Sequence, residues 1–304
     1  MSNYNPKINN VESVFTAIDK DGKQTDFSGE PWVANIVESH VQGVARYGDY
    51  WMLTYNNKGY SQGYLMAVNN DSGKLVLDFN TPDENYNHPS GIQTIGNFLL
   101  VPVENSDASD SYIHFYNMYA MNDTTQPTLL TYNIHRSGKG SGAAGICNFT
   151  DNDGNERYFM CVYDNGATDF YTSNAKTLSD PNISFTLSGS IKLDQEGYSS
   201  TCLVTDTDGS IYMIGFRVEG STSYTDYADL YKITLNSKYQ PSDMKGIGQK
   251  HCVTDYGSMT GIAGVHFRWG AGIYFRNNNT QFGLLATQRN FVANNLTVNK
   301  FNQG

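Results

Sequence analysis

The sequence predicts an all-β protein made by repeating one four-stranded unit, and three observations carry that expectation. The first is an internal repeat. His40-Val-Gln-Gly-Val-Ala-Arg-Tyr-Gly-Asp-Tyr-Trp51 has a later counterpart in His88-Pro-Ser-Gly-Ile-Gln-Thr-Ile-Gly-Asn-Phe-Leu99. Aligning the two histidines sets Gly43 on Gly91, Val44 on Ile92, Gly48 on Gly96 and Asp49-Tyr50 on Asn97-Phe98, an offset of 48 residues (88 − 40). A period of that length marks a supersecondary unit used several times. The second is composition: 22 Tyr, 15 Phe and 29 Gly among 304 residues suit short strands joined by tight turns. The third is a charged fraction of only 16%, whereas long amphipathic helices would need more Glu and Lys, along with Ala and Leu.

Taken in order, residues 1–35 form an N-terminal segment ahead of the repeats. Within it Val11–Ile18 is read as a strand and Asp19–Gly22 as a turn, after which Gly29 and Pro31 break regular structure. Units then begin near residues 40, 88, 142, 198 and 261. Their predicted first strands are Gly43–Arg46, Gly91–Thr94, Gly145–Phe149, Thr201–Val204 and Gly264–Phe267. Each runs into a turn, at Gly48-Asp49, Gly96-Asn97, Asp151–Gly154, Asp206–Gly209 and Trp269-Gly270. A second predicted strand follows every turn (the last at Ile273–Asn277), then a third and a fourth, the final one at Leu296–Phe301. Residues 236–250 are read as a loop that lengthens one unit, before a strand at His251–Thr254.

Five units of about four strands, roughly 48 to 63 residues apart, have the size and strand count of a propeller blade. A parallel β-helix would show a much shorter period, and a sandwich would not repeat a whole four-strand unit. On this repeat the chain resembles the β-propeller superfamily, five-bladed type, as a single domain over 1–304; a sixth, partial blade is the alternative count. The resemblance implies that the N-terminal strand closes the ring beside the last blade. It also implies that the innermost strands line a central channel, with the segments leading into them crowded round one mouth.

Charge and motifs exclude several function classes. The net charge is −10 with no Lys/Arg cluster, so nucleic acid has no electrostatic footing, and an acidic surface favours solubility. No stretch is apolar for the ~18 residues a membrane span needs. The opening Met1-Ser-Asn-Tyr-Asn-Pro lacks a basic region followed by an apolar run, so no signal peptide is read; the expected location is cytoplasmic, or secreted with the signal removed. Cys147, Cys161, Cys202 and Cys252 form no C-x-x-C pair and lie in apolar segments, which reads as buried free thiols; no metal and no cofactor are expected. Both Asp-x-Asp-Gly stretches, at 151 and 206, fall where other units have hairpin turns and are read as turns rather than calcium loops.

The candidate site is the mouth. His40 and His88 each precede an innermost strand by three residues, where the other units have Gly142, Tyr198 and Gly261; His266 lies just inside its strand. Imidazoles near one axis suit metal binding or acid–base work. The competing structural reading is that they tie one blade to the next, as devices recurring in repeats do. For glycoside hydrolysis the nearest carboxylates are Glu38 and Glu104, with Glu30 and Glu196 weaker, but the innermost strands themselves carry no Asp or Glu. No Gly-x-Ser-x-Gly elbow is present, and Gly138–Gly142 is read as a rim loop, with Arg136 and Lys139 available to an anionic ligand. Tyr60 is read as a loop-tip aromatic and Tyr198 as a mouth aromatic able to stack on a sugar ring, while Trp51 is read as core. The leading expectation is a non-catalytic, lectin-like protein binding a carbohydrate or other small polar ligand through His40, His88, Tyr60, Tyr198 and His266. One alternative is an enzyme, a hydrolase or a lyase/isomerase, using His40 or His88 with Glu38 or Glu104. A protein-interaction scaffold is the second alternative.

Overall fold

A computed structural model describes residues 6–28, 40–56, 62–254, 263–292 and 295–303. Helix α1 (Val11–Ala17) precedes strand β1 (Lys23–Ser28). The first repeat supplies β2 (His40–Tyr47), β3 (Tyr50–Asn56), β4 (Gly63–Asn69) and β5 (Lys74–Asn80). The second supplies β6 (His88–Pro89), β7 (Gln93–Ile95), β8 (Phe98–Glu104), β9 (Ser111–Asn117) and β10 (Thr128–Arg136). The third supplies β11 (Ala143–Thr150), β12 (Glu156–Asp164), β13 (Ala167–Ser173) and β14 (Phe185–Lys192). The fourth supplies β15 (Tyr198–Thr205), β16 (Ile211–Glu219), β17 (Thr225–Leu235) and β18 (Pro241–Cys252), and the last β19 (Val265–Arg276), β20 (Gln281–Gln288) and β21 (Asn295–Phe301).

Strands within a repeat pair antiparallel with their sequence neighbours, except that β6 and β7 both pair with β8. The repeats stack sheet on sheet around an axis. β2 lies against β7 and β19, β11 against β7 and β15, and β15 against β19, so the first strands close a ring. Apolar side chains fill each gap between neighbouring repeats. Leu65 and Met52 meet Ile92 and Leu99; Phe115 meets Ile146 and Met160; Phe159 and Cys161 meet Leu203 and Met213. Ile214 and Phe216 meet Phe267 and Ile273, and Tyr274 and Leu285 return to Val44 and Trp51. The protein is a β-propeller. Stacking on both faces explains the burial: β3 is buried at every position after its first, whereas the outer strand β10 alternates.

The N-terminal strand expected at Val11–Ile18 is a helix. Val11, Val14, Phe15 and Ile18 stand at i, i+3, i+4 and i+7, one helical face, and all four are buried. Asn10 caps it, accepting from the Ser13 N–H at 3.0 Å, and the Asp206 carboxylate accepts from the N–H of Asn10 at 3.3 Å and of Val11 at 2.8 Å. The strand joining the last repeat is β1, antiparallel to β21 from Lys23↔Lys300 to Ser28↔Asn295, with a single parallel bridge to β5 at Ser28↔Lys74.

Among the described residues the last repeat has three strands of its own, with β1 as its fourth, because the turn expected at Trp269-Gly270 does not form. β19 runs unbroken past it, with a register shift between His266 and Ala271, and the Gly270 N–H donates to Thr287 Oγ1 at 2.8 Å. The chain reverses instead at Asn277, Asn278 and Asn279, which take φ of 47°, 54° and 66°. Most of the predicted 236–250 loop is likewise strand: β18 pairs along β17 from Asp226↔Cys252 to Leu235↔Pro241.

The axis is occupied. Gln93 on β7 donates from Nε2 to the Leu203 carbonyl at 2.7 Å, and its Oε1 accepts from the N–H of Ile146 and of Leu203, both at 2.9 Å. One side chain thus serves the inward edges of β11 and β15.

Candidate functional site at the ring mouth

β2 and β6 begin at the same end of the ring, so their first residues meet. The His40 and His88 rings lie 6.3 Å apart between centroids. Gln42, two residues along β2, sits between them: its Nε2 is 2.7 Å from His40 Nε2, 2.8 Å from His88 Nε2 and 3.2 Å from Asn56 Oδ1. The two N–H groups of this amide match the two imidazoles, which then offer Nε2 as a lone pair and carry their proton on Nδ1. His88 Nδ1 then donates to Glu104 Oε1 at 2.8 Å, and Glu104 Oε2 accepts from the Ser141 N–H at 2.8 Å. Glu104 on β8 therefore ties the second repeat to the start of the third. Burial, with the nearby His88, Arg289 and Arg268, pushes the His40 pKa down to about 3, so His40 is neutral at ordinary pH.

Above these residues lies a hollow of about 470 Å³ lined by His40, Gln42, His88, Ser199, Trp269 and the two arginines Arg268 and Arg289. The edge of His40 meets Trp269 at 5.5 Å between centroids. Arg289 is held against β2 by the Val41 N–H, which donates to its carbonyl at 2.8 Å. A second hollow of about 390 Å³ adjoins through Gly197 and is lined by Glu104, Tyr163, Asp164, Glu196 and Tyr198.

The other expected residues are placed as follows. Tyr198 is buried, and its hydroxyl lies 2.8 Å from Asp229 Oδ2 and 2.7 Å from the Tyr231 hydroxyl, so it borders the second hollow with its polar end already engaged. His266 is buried with Nδ1 2.7 Å from Asp226 Oδ2, while Asp226 Oδ1 accepts from the Phe267 N–H at 2.6 Å; it does not line the hollow. Glu38 and Tyr60, with Glu30, Trp32 and Gly261, lie outside the described residues. Arg136 and Lys139 do not reach for an anion: both pair with Asp169, at 2.9 and 2.7 Å. The Asp151 turn is a hairpin, its Oδ1 accepting from the N–H of Asp153 at 3.0 Å and of Asn155 at 2.8 Å.

Among the described residues, no three His, Cys, Asp or Glu side chains converge as metal ligands, and no helix is long and apolar enough to cross a membrane. Sequence reasoning passed over Gln42, Arg268 and Arg289. Gln42 follows His40 by two residues on one strand face, which is the signal that could have found it. Arg289 carried no such signal, because it reaches the mouth from the far end of β20.

No protein-family model and no curated protein matches the chain. Solved structures show a remote likeness. A bifunctional GH43-CE protein of Bacteroides eggerthii is 11% identical with a TM-score of 0.45, over 88% of this chain and 32% of that one, so this chain spans about a third of its length. A hypothetical protein from Leishmania major is 11% identical with a TM-score of 0.43, over 96% and 94% of the two chains. The polysaccharide lyase Uly1 is 10% identical with a TM-score of 0.38, over 90% and 91%. At such identities and scores these likenesses bear on neither the site nor its chemistry.

Proposed function

We propose that this propeller is a non-catalytic, lectin-like protein that binds a carbohydrate or other small polar ligand in the hollow over His40, Gln42 and His88. The observation that carries this reading is the Gln42 bridge. Its amide occupies Nε2 of both histidines, at 2.7 and 2.8 Å, and Glu104 occupies Nδ1 of His88. The imidazoles are thereby fixed walls of a preformed site rather than bases with an open lone pair. A hollow of about 470 Å³ holding convergent polar groups beside an indole suits one or two sugar rings. The test is a glycan array followed by titration calorimetry and mass analysis of the recovered ligand. Gln42→Ala, with its melting temperature retained, is expected to weaken binding at least tenfold, and the ligand is expected back unaltered. Binding of no saccharide overturns the carbohydrate reading, and recovery of a cleaved one overturns the non-catalytic reading.

A second reading rests on the 2.8 Å contact between His88 and Glu104. A carboxylate orienting an imidazole is the pairing that general acid–base catalysis uses. An enzyme would need Gln42 to withdraw and release His88 Nε2 when substrate binds. It predicts new reducing ends or unsaturated products from an oligosaccharide panel, abolished in His88→Ala.

A further inference from the structure

The charge of the hollow points to one class of ligand. The chain holds 30 acidic and 20 basic residues, and among the described residues three of its seven arginines pair with carboxylates. Arg136 pairs with Asp169, Arg157 with Asp151 and Arg217 with Asp229. Arg268 and Arg289 do not: among the described residues neither has a carboxylate partner, and the buried Nε of Arg289 has no hydrogen-bond acceptor. Both guanidinium groups are instead held over Trp269, their Cζ atoms 5.6 and 5.2 Å from the ring centroid, and Arg268 also lies 5.5 Å from the Tyr224 ring. Aromatic support fixes a guanidinium while leaving its donors unspent.

Three nearby carboxylates are turned away. Glu104 faces His88 and Ser141, Asp226 faces His266 and Phe267, and Glu219 takes Arg217. Among the described residues no Asp or Glu lines the hollow. Two cations with open donors, converging on a cavity of a net-acidic protein, favour an anion that presents two oxygens.

Resting on the binding reading above, we infer that the ligand is an acidic saccharide whose charged group, a uronate carboxylate or a sulfate ester, is received by Arg268 and Arg289. The neutral sugar body then meets Gln42, Ser199 and the histidines.

The test compares three probes by titration calorimetry on the whole chain: an oligogalacturonide, its methyl ester and a sulfated galactan oligosaccharide. The free acid or the sulfated probe is expected to bind at least tenfold tighter than the ester, with the ratio shrinking as salt rises. Whichever anionic probe wins identifies the charged group. Arg268→Gln, at an exposed position, and Arg289→Gln should each bring the ratio towards one. Equal affinity for acid and ester, or discrimination that survives both substitutions, overturns this inference and leaves lectin-like binding standing. Binding of no saccharide at all removes the underlying reading, and the inference with it.

Discussion

Replacing Gln93 by alanine should loosen the whole ring, because this buried side chain joins three repeats. It is 1% exposed and makes three hydrogen bonds, to the Leu203 carbonyl and to the amides of Ile146 and Leu203. An innermost strand has a sheet partner on one side only, so its inward N–H and C=O groups must be satisfied across the axis or not at all. Removing the glutamine strands two N–H groups and one C=O in the interior. Each stranded group costs about 1–3 kcal/mol, and water entering the vacated space recovers part, which leaves about 3–5 kcal/mol. For a chain of this size that is a fall in melting temperature of roughly 10 °C, at about 2–4 °C per kcal/mol. Gln93→Met keeps the volume without the polar atoms and separates packing from hydrogen bonding; most of the loss should persist. Calorimetric melts give the magnitude, and amide hydrogen exchange at Ile146 and Leu203 gives the location. If Gln93→Ala stays within about 1 kcal/mol of the parent, with both amides still protected, the bridge is not what holds the axis.

Burial also sets the response to acid, truncation and thiol reagents. It pushes His40 down to about 3 and His114 down to about 4, from 6.5. Below pH 6.5 the unfolded chain takes up protons that the folded one refuses, so stability is full above that pH and falls as acid is added, until each folded pKa is reached. Each histidine contributes a slope of up to about 1.4 kcal/mol per pH unit, less for the partly exposed His40; urea midpoints from about pH 7 to 4.5 measure it, and His114→Phe should flatten the curve. Phe27→Ala in β1 removes a ring that is 1% exposed and packs on Trp51 at 5.6 Å, with an expected cost of about 3–5 kcal/mol by denaturant titration; a cost below about 1 would mean that β1 contributes little to the last repeat. Burial raises the thiols of Cys147, Cys161 and Cys252 to about 12 and Cys202 in the same direction. All four should resist a thiol reagent at about pH 8 in the folded protein and react together in guanidinium, and one fast thiol in the native state would contradict this.

Local chemistry is enough to place most of the turns and strands along the chain. Glycines at 48, 96, 154 and 209 mark turns because each takes a positive φ that side-chain-bearing residues avoid, and apolar runs between them mark strands stacked on both faces. His40 and His88 were legible as neighbours because equal places in a repeat become equal places round a ring. The spacing of Val11, Val14, Phe15 and Ile18 also encoded a helix, although a short β-branched run reads as a strand when its period is overlooked. Long-range pairings are a different matter, and they arise with the closed ring. β1 meets β21 across nearly the full length of the chain, Gln93 reaches residues 53 and 110 positions away, and Arg289 arrives at the mouth from another repeat. Such contacts leave no periodic trace, because each is a single pairing between distant residues that becomes favourable only once the ring has brought the two segments together.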